Sequence, residues 1–180
     1  MLLNKILNAL DIENIQLLHD KLNKEILGTF LSIDGLKVIL VNESIINESR
    51  LYNTVVGEEL GHYFTSKKDS APYQSNTYQD DLNYKKSENT ALKWAVNFLI
   101  PTNELLNYIS TNSQINKFDL SDYFNVTQDF ILSKFYYLSL IKPWYELESN
   151  KYLMLSSYPT VYIYEDYEGR IEHGKHSQTS

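Results

Sequence analysis

Apolar residues fall into segments with two different periods along this chain, and glycine, proline and capping residues mark the breaks between them. Residues 2–10 pattern as a short helix, which Asp11 breaks or caps. Over residues 12–27 the positions Ile15, Leu18, Leu22 and Ile26 fit a helix, with an edge strand over 14–18 as the alternative, and the helix is the reading adopted. Gly28 interrupts, and two β-rich runs follow at residues 29–33 and 36–41. Asp34-Gly35 joins them, a strong hairpin signal between apolar runs. Turn and capping residues fill 42–47, and Asn47 with Glu48 predicts the start of a helix over 48–65. Residues 66–83 lack apolar periodicity and read as a surface loop long enough to cover a site. The next helix carries its apolar face on Ala91, Trp94, Ala95, Phe98 and Leu99 and must end near Ile100, because Pro101 disfavours helical geometry before it. A short helix restarts at Pro101 and runs through Leu106 and Ile109. Helices over 118–124 and 128–141 are separated by Asn125-Val126-Thr127, with Thr127 as N-cap, and Pro143 stops the second. Alternating runs at 152–156 and 160–164 predict a hairpin or a pair of edge strands around Ser157-Tyr158-Pro159, and the chain after Asp166 is polar.

Helices and strands in this order define an α+β protein. Its 180 residues suit a single domain over 1–180 with a sizeable core. Within it the pattern marks a core over 1–110, a helical extension over 112–142, a C-terminal hairpin over 150–166 and a polar tail over 167–180. Short helix, tight turn and longer helix is also the outline of a helix-turn-helix. The second of those helices, however, offers Gln128, Asp129, Ser133 and a single basic residue, Lys134. The net charge of −7 points the same way, since neutralising phosphates requires clustered Lys and Arg. No direct nucleic-acid partner is therefore expected, and a protein or peptide partner is. Without cysteine there is no disulfide, thiolate zinc site or Cys nucleophile. Absence of a long apolar run predicts no membrane partner and a cytoplasmic location.

One stretch does not behave as ordinary amphipathic helix. Leu51, Val55, Glu58 and His62 lie at offsets of four, seven and eleven residues, a single stripe at the helical period. A carboxylate and an imidazole thus share a core-facing stripe with two apolar residues, which is costly unless they are paired or bind a metal. Glu58 and His62, four apart, stand one turn above each other, and Glu59 sits roughly 100° round the helix. Glu88, 26 residues beyond His62, falls on the buried stripe of the next helix one turn ahead of its apolar face. Glu58, His62 and Glu88 suffice in number for a catalytic zinc site, leaving Glu59 as general base. A bare Glu/His pair four apart is ordinarily a surface hydrogen bond; the adjacent Glu59 and the patterned Glu88 make it a candidate site. Tyr63 is a candidate oxyanion donor but reads more simply as core, His19 as structural or exposed, and His173 and His176 as having no role.

These residues carry a resemblance. Val56-Gly57-Glu58-Glu59-Leu60-Gly61-His62-Tyr63, followed by Glu88-x-x-Ala91-x-x-Trp94-Ala95-x-x-x-Leu99-Ile100-Pro101, resembles the ImmA/IrrE family of metallopeptidases. The hairpin before the first motif and Leu120-x-x-Tyr123-Phe124-Asn125-Val126-Thr127 behind the second resemble its phage and mobile-element members, so the likeness spans residues 28–141. It implies a zincin-like fold and a metal-dependent endopeptidase that cleaves a helix-turn-helix (Xre-like) repressor, an anti-repressor. By position, Glu58 and His62 take the two helix ligand places, Glu88 the downstream acidic ligand and Glu59 the catalytic place. The family motif has His where this chain has Glu58. Two carboxylates and one neutral imidazole would neutralise a divalent ion, acidify its water less, and make Mn²⁺ or Fe²⁺ competitors for Zn²⁺. The alternative is a catalytically degenerate relative that binds the repressor without cutting it.

Overall fold

In the computed structural model, which describes residues 2–65, 78–112, 116–148 and 150–167, the chain opens with helix α1 (Leu2–Ile12). Asn14 then adopts a left-handed backbone (φ 52°), and the chain turns into strand β1 (Ile15–Asp20). This corrects the helix expected over 12–27. Ile15 is buried, and β1 runs parallel to a later strand whose partnership no local pattern announces.

The hairpin forms as its sequence predicts, from β2 (Gly28–Ile33) and β3 (Leu36–Asn42). Asp34 (φ 51°) and Gly35 (φ 83°) both take the left-handed conformation that a two-residue hairpin turn requires. The sheet order is β1-β3-β2, so β2 lies at an edge. Ile15, Ile39 and Val41 point into the core, towards α1 and helix α2 (Ser49–Thr65).

Helix α3 (Tyr78–Leu99) packs along α2, and α4 (Thr102–Thr111) restarts after Pro101. The loop expected to reach residue 83 is thus helical from Tyr78, while 66–77 lie outside the described residues. Residues 82–87 are exposed, so they carry no apolar stripe to reveal the helix, and Asp80 and Asp81 in its first turn favour the positive end of its dipole.

Helices α5 (Lys117–Phe124) and α6 (Gln128–Ser139) follow, and the Thr127 side chain caps α6 by accepting from Phe130 N. Their turn is docked on the first half of α2. Asn53 Nδ2 donates to Asn125 O (3.1 Å), Thr127 N donates to Thr54 Oγ1 (3.1 Å), and Arg50 pairs with Asp122 (2.5 Å). Phe130, Ile131, Lys134, Phe135 and Leu138 of α6 are buried in the core. Lys134, the one basic side chain of that helix, is 1% exposed and donates to Asn97 Oδ1 (2.8 Å) and Thr102 Oγ1 (2.9 Å). Burial lowers its pKa to about 8.

A second sheet closes the chain, with β4 (Trp144–Glu148), β5 (Lys151–Met154) and β6 (Tyr162–Glu165) in antiparallel order. A C-terminal hairpin was expected, and β4 adds a third strand; its Glu146 and Glu148 obscure the apolar alternation. Buried residues from α1 through β5 and Leu155 form one continuous apolar cluster. The architecture is α+β, and no described helix is long and apolar enough to cross a membrane.

Candidate metal centre

Two glycines set the distance between α2 and α3. A Cβ built on Gly61 would stand 2.4 Å from the Ala91 carbonyl oxygen, and one on Gly57 would stand 2.5 Å from a Leu99 methyl. Hydrogen at these two positions therefore lets α3 lie directly against α2, which brings position 88 opposite 58 and 62. On α3 itself, the Asn89 carbonyl accepts from Tyr137 of α6 (3.2 Å), tying the helix next to Glu88 to the core.

Glu58, His62 and Glu88 line one cavity of about 130 Å³ together with Asn89 and Leu92. His62 Nε2 and Glu88 Oε1 stand 3.5 Å apart. Among the described residues, no three His, Asp or Glu side chains are gathered tightly enough to hold an ion as they stand. The three share a cavity without converging on one point. In chemistry the set fits a divalent cation: two carboxylates and an imidazole, from two helices locked together at Gly57 and Gly61. Their electrostatics fit as well. Burial first, and then the charge of Glu88, push the Glu58 carboxyl up to about 7. Positive charge beside them would offset that cost.

Glu59 is not a wall of that cavity. Its side chain lies between α2 and β2, where a Cβ on Gly28 would come within 3.2 Å of its Cγ and 3.4 Å of its Oε1. Burial pushes its carboxyl up to about 7, the backbone N–H of Phe30 pulls it down by hydrogen bonding, and the charges of Glu58 and Glu88 raise it. Glu59 thus stands where the edge strand meets α2, within the electrostatic reach of the cavity.

Sequence patterning missed Tyr84, one turn before Glu88 on α3 and hydrogen-bonded to it. Burial, then the charge of Glu88 and this bond, then the charge of Glu59, push the Tyr84 phenol up. The four-residue spacing from Glu88 was the available signal. Tyr63, by contrast, is structural: its hydroxyl donates to Glu13 Oε2 (2.5 Å) and accepts from Lys37 Nζ (2.8 Å). His19 shares a hydrogen bond with the Tyr52 hydroxyl (2.9 Å) at the surface, and His173 and His176 lie outside the described residues. A larger open cleft of about 590 Å³ lies beside the starts of α2 and α6, lined by Glu48, Arg50, Gln128 and Asp129 among others. It contains none of the four candidate residues, and its size alone carries no chemistry.

The raised carboxyls fix a pH dependence for the metal-free protein. Between about 4.5 and about 7, Glu58 and Glu59 are protonated in the fold but ionised in the unfolded chain, so the folded state binds more protons. Their contribution to stability is then full below pH 4.5 and is lost as pH rises to about 7. At about 1.4 kcal/mol per group for each pH unit of that window, Tm of chelator-treated protein should fall by roughly 10–20 °C between pH 5 and 8. Glu58→Gln should roughly halve the fall, because Glu59 still titrates in the same window. A wild-type Tm that holds constant from pH 5 to 8 would contradict this account of the burial.

Two carboxylates and an imidazole wall one cavity, and a third carboxylate, Glu59, faces β2 from the same helix as Glu58 and His62. No protein-family model, curated protein or solved structure matches the chain.

Proposed function

We propose that the protein is a metal-dependent endopeptidase of the ImmA/IrrE type, with a zincin-like core, acting on a helix-turn-helix repressor. The observation that carries the proposal is the meeting of Glu58, His62 and Glu88 on one cavity while Glu59 stands beside the free edge of β2. Glu58, His62 and Glu88 would hold the cation, Zn²⁺ or in its place Mn²⁺ or Fe²⁺. Once bound, the cation supplies Lewis acidity, polarising the scissile carbonyl and lowering the pKa of water. Every other task falls to the chain. Strand β2 pairs with β3 on one side and with no described strand on the other, so an extended peptide docked along it passes Glu59. Glu59 takes the proton from the attacking water and returns it to the leaving amine. Positive charge in the neighbouring cavity keeps its carboxylate ionised at neutral pH, as a base must be. The repressor as substrate rests on the family resemblance.

Co-expression with a helix-turn-helix (Xre-like) repressor of the same genetic element tests the proposal. The expected result is a repressor fragment that appears with the wild type and not with Glu59→Gln, from preparations that contain bound metal. An intact repressor beside metal-loaded wild type would overturn it. The substitution of Glu58 for the family's His favours one other reading, stoichiometric binding without cleavage. In that case Glu59→Gln would still inactivate the repressor and no fragment would form.

Glu58 also makes a prediction about metal choice. Imidazole suits zinc better than a carboxylate does, while carboxylate favours harder ions. Glu58→His should tighten zinc binding by roughly tenfold, about 1.4 kcal/mol, with little gain for Mn²⁺. Calorimetry showing no tighter zinc binding would count against the carboxylate as the cause of any weak zinc affinity.

A further inference from the structure

Glu88 stands where α3 leaves the core. After it the helix is held by Ala91 against Gly61, by Leu99 against Gly57 and by the Tyr137 hydroxyl on the Asn89 carbonyl. Before it, residues 82–87 are exposed. The Glu88 side chain is itself 43% exposed, on a flexible two-methylene stem with several rotamers open to it. His62 faces it at 3.5 Å, beyond the range of a good hydrogen bond, and so does not fix its orientation. Tyr84, on the same face of α3 and one turn earlier, does hydrogen-bond to it.

We infer that Tyr84 is a positioning residue of the cation site: its phenol O–H donates to the Glu88 carboxylate and holds it turned towards the cavity that Glu58 and His62 share. The inference rests on the metal reading above and assigns a role to a residue outside the ligand set. Ligating carboxylates work best when an outer partner fixes their direction, and loss of such a partner typically costs ten- to a hundredfold in affinity. A merely helical role makes the opposite prediction. An i,i+4 Tyr–Glu bond on an exposed helix steadies α3 slightly and adds nothing to cation affinity.

The test is a calorimetric titration of the metal-free full chain with Mn²⁺ and Zn²⁺, with Tm of the same samples. Tyr84→Phe removes one hydroxyl from a half-exposed ring and should leave the metal-free Tm within about 1–2 °C. Affinity for both ions should drop by at least about tenfold. In a Glu88→Ala background, Tyr84→Phe should then produce no further loss, since the tyrosine acts through that carboxylate. Equal affinities for wild type and Tyr84→Phe would overturn the inference and leave the metal reading standing. A loss of equal size in the Glu88→Ala background would also overturn it. A wild type that binds neither ion would overturn both.

Discussion

Gly61→Ala is expected to lower Tm by roughly 2–8 °C and to weaken cation binding in the same variant. The added methyl would lie 2.4 Å from the Ala91 carbonyl oxygen, 3.0 Å from its carbon and 3.3 Å from its Cα. All three atoms are backbone of α3, which has no rotamer to change, so the helices must separate. Overpacking of this kind costs about 1–3 kcal/mol, occasionally more, and alanine's better helix propensity returns up to about 1 kcal/mol. For a chain of this size each kcal/mol is worth about 2–4 °C. Separation of α2 from α3 also moves Glu88 away from Glu58 and His62, so stability and affinity should fall together. Gly57→Ala provides the contrast, because its methyl meets only the Leu99 side chain, at 2.5–3.3 Å. Leu99 can shift, and the net loss there should be about half as large. A Gly61→Ala protein as stable as wild type in calorimetry would mean that the helices are not held at this contact.

Local signals were legible in the sequence wherever a single residue type forces the backbone. Asp34-Gly35 made its left-handed turn, Pro101 closed α3, and Thr127 capped α6. What patterning missed depends on partners distant in sequence. Strand β1 is fixed by pairing with β3, more than twenty residues on, and its mixture of Leu, His and Asp looks helical without that partner. Lys134 reads as a surface charge until α6 is seen to bury it against Asn97 and Thr102. At the site, the stripe of Leu51, Val55, Glu58 and His62 was visible because helical period alone places it. The direction of Glu59 was visible only as an angle, and it took β2 to show what lies there. Gly57 and Gly61 looked like a cost in helix propensity; the structure turns them into the condition for Glu88 to face His62.

Glu59→Gln should separate the chemistry from everything else the site does. Glutamine has the same length, and its amide oxygen can still accept from the Phe30 N–H that now points at the carboxylate. The wedge between α2 and β2 is therefore filled as before, and the fold should be retained. None of the three residues proposed to hold the cation changes, so affinity for Mn²⁺ or Zn²⁺ should stay within a few-fold of wild type. The amide, however, takes no proton from water at neutral pH. Loss of a general base costs about 10²–10⁴ in rate, so cleavage of the repressor should fall by that factor in a single-turnover assay. The same change should raise the Tm of the metal-free protein at pH 8, because a buried carboxylate that burial and the charges of Glu58 and Glu88 disfavour is replaced by a neutral group. Three readings thus move in three directions: rate down, affinity flat, metal-free stability up. A residue needed only for packing would lower the stability as well as the rate, and a fourth cation ligand would lower the affinity. Cleavage at the wild-type rate by Glu59→Gln would remove Glu59 from the mechanism and leave the cavity without its base.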